Sequence, residues 1–233
     1  MSVSFPTQAQ VVIIGGGVIG TSLAYHLAKL GRTDVVLLER KELTSGTTWH
    51  AAGLVGQLRA TKNMTKLAQY TSELYAGLEV ETGQATGFKQ NGSLSVAPDK
   101  ERFEELKRGA SMAKCCGLEV EVITPQEAQA LYPLLNIDDL VGAVFLPKDG
   151  QTNPIDTTLA LAKGARAGGV RIFENTAVTA IHQKDGRVTG VSTDKGDIVA
   201  EHVISATGNF ARKTGEMVGL NVPVIPVEHQ YIV

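Results

Sequence analysis

The sequence predicts an α/β protein in which a βαβ dinucleotide-binding unit is interrupted by an α+β insertion and completed by a β-meander. Three observations carry this prediction. A glycine turn sits between a strand and a helix near the start, the middle section has a different rhythm, and helix–strand alternation resumes after Asn153. The chain has 233 residues, 43% hydrophobic and 20% charged, enough for a sizeable core. A net charge of −2 gives no basic footprint for nucleic acid. No apolar run is long enough to cross a bilayer as a helix.

Val11-Val12-Ile13-Ile14 is a continuous β-branched run, which suits a strand covered on both faces. Gly15 permits the tight turn that follows, Gly17 lets backbone approach phosphates, and Gly20 lets the next helix pack close to the strand. That helix is expected from Ile19 to Leu30, with Leu23, Leu27 and Leu30 on one face and Gly31 as C-cap. Its first N–H groups and positive dipole end suit a pyrophosphate. A second apolar run, Val35 to Leu38, ends in Glu39, nineteen residues after Gly20. An acid there accepts from a ribose 2′-OH, which favours FAD or NAD over NADP. The adjacent Arg40 reads as a 2′-phosphate partner or, better, as a solvated charge. A lone glycine motif is weak; here strand, helix, strand and acid fall in order.

Leu67, Tyr70, Leu74 and Leu78 recur at helical spacing, and from about Thr82 the character changes. Gly92–Ala97 reads as a strand and Lys100–Cys115 as an amphipathic helix. Thr124 and Pro125 open a short helix, Gln126–Leu131, as N-cap and N1. Gly142–Leu146 reads as a strand. This section has no nucleotide signature. Residues 83–150 are therefore expected to belong to a substrate domain inserted between dinucleotide-binding segments 1–82 and 151–222. In the second segment a helix over Asp156–Ala167 precedes strands at Val170–Phe173 and Ala177–His182. Asp185-Gly186 and Lys195-Gly196 mark hairpin turns, and a buried strand enters the small-residue turn Val203–Gly208. Residues 223–233 read as the start of a further substrate-domain strand, truncated inside Gln230–Val233.

Cys115 and Cys116 are adjacent, neither a disulfide framework nor a metal site. No His, Cys and carboxylate group has ligand spacing, so no metal is expected. Residues 1–10 lack a signal-peptide core and the arginines of a transit peptide. The expected setting is cytoplasmic, or the mitochondrial matrix if the N-terminus is processed.

The glycine turn, Val36–Glu39, Ser45–Leu54 with its stretch Thr47-Thr48-Trp49-His50-Ala51-Ala52-Gly53-Leu54, Leu131–Leu134, Asp149-Gly150, Ala206-Thr207-Gly208 and Pro226–Tyr231 together carry a resemblance. The chain resembles the sarcosine and dimethylglycine dehydrogenase family, FAD enzymes of the D-amino-acid-oxidase-like fold. The likeness implies a Rossmann-like FAD-binding domain with a β-meander and an incomplete α+β substrate domain. It implies FAD joined covalently to His50, with Ser45, Thr47, Thr48, Ala52, Gly53 and Leu54 around it and Glu39 and Arg40 at the adenosine end. It implies a second FAD-contacting turn at Ala206 and Gly208, a strand meeting the adenine at Val178, and a catalytic histidine at His229. The 11 residues from Glu39 to His50 span up to roughly 35–40 Å if extended, more than one FAD requires.

The implied activity is oxidative demethylation of an N-methylated glycine derivative, by hydride transfer from the N-methyl carbon to flavin N5. The substrate would be a small secondary or tertiary amine, with an unknown electron acceptor. The residues alone leave alternatives open. His50 also reads as a cap or core histidine beside Trp49, the Ser/Thr cluster as helix capping, His229 as a hydrogen-bonded structural residue, and Arg59 as a solvated charge rather than a carboxylate partner. An oxidase with dissociable FAD, a noncatalytic regulatory homologue used as a binding module, and an NAD-dependent dehydrogenase are the competing functions.

Overall fold

The computed structural model describes residues 4–230. They run β1 (Gln8–Ile14), α1 (Val18–Lys29), β2 (Val35–Leu38), a 3-10 turn (Thr48–His50), β3 (Leu54–Val55), α2 (Lys62–Thr82), β4 (Ser93–Ala97), α3 (Lys100–Cys115), β5 (Glu121–Ile123), α4 (Pro125–Leu131) and β6 (Gly142–Leu146). There follow β7 (Gly150–Gln151), α5 (Pro154–Ala167), β8 (Arg171–Phe173), β9 (Val178–Lys184), β10 (Arg187–Thr193), β11 (Gly196–Ser205), a 3-10 turn (Gly208–Phe210) and α6 (Ala211–Glu216). The chain forms two compact units. One comprises Met1–Ala51, Val80–Ala85 and Pro154–Val233; the other comprises Ala52–Glu79 and Thr86–Asn153.

The first unit is built on a six-stranded sheet in the order β8-β2-β1-β11-β10-β9. β8, β2, β1 and β11 are parallel; β10 and β9 return antiparallel as a meander. Side-chain alternation sorts the central strands. Ala9, Val12, Ile14, Val36 and Leu38 cluster on one face with Val191, Ile198 and Ala200 of the meander. The intervening Val11, Ile13, Val35 and Leu37 point the other way and are also buried, as expected of strands covered on both sides. Each such side chain contributes about 1.5–3 kcal/mol by leaving water.

Helices α1 and α5 pack on each other through small residues. A Cβ on Gly164 would lie 2.8 Å from the Tyr25 ring, and one on Gly168 would lie 2.7 Å from Ala28. The buried Tyr25 hydroxyl donates to Glu81, at 2.7 and 2.8 Å from its two oxygens. Burial and then the Glu81 carboxylate raise the Tyr25 pKa above the ordinary phenol value.

In the second unit β4, β6 and β5 form an antiparallel sheet in the order β4-β6-β5. Ala110 and Ala113 of α3 pack on Val144 and Leu146, while Ala128 of α4 packs on Ile123 and Ala143. Asp149 is buried and accepts from the Gln57 N–H at 2.8 Å and the Ser93 hydroxyl at 2.7 Å. Residues 52–79, read from sequence as part of the first segment, group with this second unit. There β3 pairs with β7.

Several boundaries differ from the sequence expectation. The second meander turn falls at Asp194-Lys195, and Gly196, at φ +136°, opens β11 rather than forming the turn. β11 reaches back to Gly196; toward its end Val203 and Ile204 are half-buried and Ser205 is exposed, with Val203 packed on the cluster below. No strand occurs over residues 221–230, where Val227 to Gln230 are exposed and without regular structure. A strand is stable only when its backbone groups are paired, and no described ladder includes that segment. Tyr231–Val233 lie outside the described residues.

Gly20→Ala is expected to destabilise the first unit by about 2 kcal/mol or more, because its Cβ would stand 1.8 Å from the Gly15 carbonyl oxygen. A lower urea midpoint with unchanged slope is the expected reading. In α4, Thr124 and Glu127 form a reciprocal capping box. The Thr124 N–H, and then its hydroxyl, lower the Glu127 pKa below the usual glutamate value. This capping contribution is therefore complete above the ordinary glutamate range and is lost as pH falls through the lowered value. Thr124→Ala is expected to return the Glu127 carboxyl titration, followed by NMR, toward the ordinary range.

Candidate functional site

The parallel strands of the first unit end together, with Ile14 beside Leu38 and Ser205, and Leu38 beside Phe173. At this edge the chain opens a cavity of about 440 Å³, within the size range of small-molecule sites. Of the residues proposed from sequence, Gly15, Gly17, Glu39, Arg40, Ser45, Thr47, Thr48, His50, Val178, Ala206 and Gly208 all line it. These residues come from five separate stretches of chain, and the fold brings them to one wall-lined space.

The glycine turn is shaped by backbone proximity. Gly15 has φ +114°, and a Cβ there would lie 2.4 Å from the Ala206 carbonyl oxygen. The Gly15 N–H donates to Leu38, and the Ala206 N–H to Ile14. Gly17 is the N-cap of α1, without a side-chain cap and with no acidic residue in the first turn. The helix start is therefore electropositive and uncompensated by its own side chains. Gly20 does not line the cavity; it is buried against the turn, the packing role read from sequence.

Glu39 does more than the sequence spacing suggests. Its carboxylate accepts from the Gly16 N–H at 2.7 Å and from the Lys41 N–H at 3.0 Å. A Cβ on Gly16 would lie 2.8 Å from that of Glu39, so the contact requires glycine. A carboxylate offers about four acceptor sites, which leaves capacity for a ligand hydroxyl.

The loop carrying His50 is tied to the same turn. Thr44, a buried β-branched residue at φ +72°, donates its N–H to the Gly16 carbonyl at 3.1 Å. A β-branched residue in this region is strained by about 1–3 kcal/mol. The Thr48 hydroxyl accepts from the Val18 N–H at 3.1 Å, so it caps α1 rather than a helix of its own. His50 closes the 3-10 turn and stacks on Trp49, with ring centroids 3.7 Å apart.

Sequence reasoning missed the far wall. Phe210, Lys213, Thr214 and Met217 line the cavity from the 3-10 turn and α6. The Arg40 guanidinium lies 3.8 Å from the Phe210 ring centroid. No periodic apolar pattern marks so short a helix; an aromatic and a cation just after a small-residue turn were the available signal. The structure does not gather every expected residue. Ala52, Gly53 and Leu54 belong to the second unit and do not line the cavity. There the Gly53 carbonyl accepts from Thr152, and Leu54 pairs with Gln151. His229 is exposed and outside the lining, because its segment has no strand partner to place it. Among the described residues no group of His, Cys, Asp and Glu is arranged to hold a metal, and no helix is long and apolar enough to cross a membrane.

Known proteins share both sequence and fold with this chain. It is 44% identical over 234 residues to "Sarcosine dehydrogenase, mitochondrial" of Mus musculus, covering 98% of this chain and 26% of the relative. It is 42% identical over 233 residues to "Pyruvate dehydrogenase phosphatase regulatory subunit, mitochondrial" of the same organism, covering 99% of this chain and 26% of the relative. The chain thus spans about a quarter of the length of these relatives. The crystal structure of L-proline dehydrogenase from P. horikoshii superposes with a TM-score of 0.88 at 30% identity, over 93% of this chain and 57% of that one. The sequence pattern of the FAD dependent oxidoreductase (DAO) family matches residues 10–233. The chain belongs to the FAD dependent oxidoreductase family.

Proposed function

We propose that the cavity holds FAD, tethered through His50, and that the intact protein oxidises an N-methylated glycine derivative such as sarcosine or dimethylglycine. One observation carries this reading: the glycine turn, Glu39 and His50 line a single cavity. The α1 N-terminus suits the pyrophosphate, and the spare acceptor sites of Glu39 suit a ribose hydroxyl. Val178 and the turn at Ala206 and Gly208 form further wall at the strand ends. His50 lines the same cavity and would hold the flavin through a ring nitrogen. Bound FAD supplies a hydride acceptor for the substrate's N-methyl carbon. The protein's part is to hold the cofactor, exclude competing reactions and orient the amine. His229 as a base or amine-orienting group, and Ala52 to Leu54 as cofactor contacts, rest on the family resemblance alone. Relatives named as mitochondrial favour the matrix over a cytoplasmic setting.

A second reading has a specific observation in its favour. The regulatory subunit is nearly as similar as the dehydrogenase, so the fold can serve as a binding module. Anaerobic addition of sarcosine or dimethylglycine to the intact, flavin-loaded protein separates the two. Bleaching near about 450 nm, where oxidised flavins absorb, supports the oxidase reading; an unbleached flavin with every N-methyl amine supports the module.

Trypsin releases residues 42–59 as one peptide containing His50. Mass spectrometry of the FAD-loaded protein is expected to find a flavin adduct on that peptide, absent in His50→Ala; an unmodified wild-type peptide overturns the tether and leaves dissociable FAD. Glu39→Ala removes the acceptor for the Gly16 and Lys41 N–H groups. Loss of hydrogen bonds to a charged group costs about 1.5–3 kcal/mol. FAD affinity, followed by fluorescence quenching, is expected to fall roughly 10- to 100-fold.

A further inference from the structure

The contact between Arg40 and Phe210 lies at the cavity, and the fold gives it an unusual span. Arg40 follows β2 and Phe210 follows β11, and in the sheet these strands flank β1. Neighbouring strands stand about 4.8 Å apart, so the two segments start roughly 10 Å from each other across the glycine turn. The guanidinium nevertheless reaches to 3.8 Å from the ring centroid, and both side chains line the cavity.

Both ends are anchored through backbone. Glu39, next to Arg40, donates its N–H to Phe173 and accepts from Thr176 through its carbonyl. Phe210 donates its N–H to Thr207, and its carbonyl accepts from the Thr214 hydroxyl at 3.2 Å. Thr214 also bonds the Thr207 hydroxyl at 3.0 Å. Among the described residues no ion pair engages Arg40, so its charge is directed at the ring rather than at a carboxylate.

We propose that Arg40 and Phe210 form a clasp across the strand-end cavity, a side-chain gate that FAD must part to enter and that slows its escape. The inference rests on the reading of the cavity as the FAD site. A partly exposed cation–π contact is worth about 0.5–1 kcal/mol, which corresponds to a roughly two- to fivefold effect on a rate. Retention of this kind serves a cofactor that is loaded once and then tethered.

The test uses the whole chain. In stopped-flow quenching with FAD, run in a His50→Ala background so that no tether holds the cofactor, Phe210→Leu is expected to raise both the association and the dissociation rate two- to fivefold. Arg40→Met alone is expected to raise the association rate by a similar factor, because it opens the same clasp. Before any FAD is added, the Arg40 Nε–H resonance is expected upfield in the wild type and shifted downfield in Phe210→Leu. An unchanged Arg40 resonance overturns the clasp alone. So does a faster dissociation without faster association, which would mean the side chains grip the cofactor directly. A wild-type chain that takes up no FAD overturns the cofactor reading and the gate with it.

Discussion

At the carboxyl edge of the first sheet, backbone must touch backbone. Gly15 lies against the Ala206 carbonyl, Gly20 against the Gly15 carbonyl, and Gly16 against the base of the Glu39 side chain. None of these approaches leaves room for a Cβ. They bring β1, α1, the end of β2 and the turn after β11 to one place, and Gly15, Gly17, Glu39, Arg40, Ala206 and Gly208 of the proposed site hang from those four elements. Overpacking here shifts the backbone on which the wall is built, not merely a side chain.

Glu39 belongs to the same constraint. It is at once the acid at the end of β2 and the acceptor that fixes the Gly16 N–H. A ligand hydroxyl that joins this carboxylate meets an oxygen already aimed by the protein, so little reorganisation is needed on binding. Thr48 works similarly: its hydroxyl accepts from the Val18 N–H and sets the start of α1, while its own O–H remains for the cavity it lines.

The sheet and its glycine turn were legible because their signals are local. A β-branched run, three spaced glycines and an acid at the end of the next strand each reflect a steric or hydrogen-bonding need within about thirty residues. His50 was legible only through resemblance, since a single histidine beside a tryptophan has no periodicity to read. Phe210 and Lys213 were not legible: their place depends on β11 lying beside β1, a pairing across nearly the whole chain. The strand read at Gln230–Val233 falls almost wholly outside the described residues. Its composition suits a strand, but composition supplies no partner, and the described residues 221–230 have none. Residues 52–79 group with the second unit, where the two-residue ladder between β3 and β7 is too short to leave a pattern in the sequence.

The Thr48–Val18 hydrogen bond also acts as a gauge. It fixes the loop that carries His50 to the start of α1, and both line one cavity, so His50 and the helix start are held at one separation.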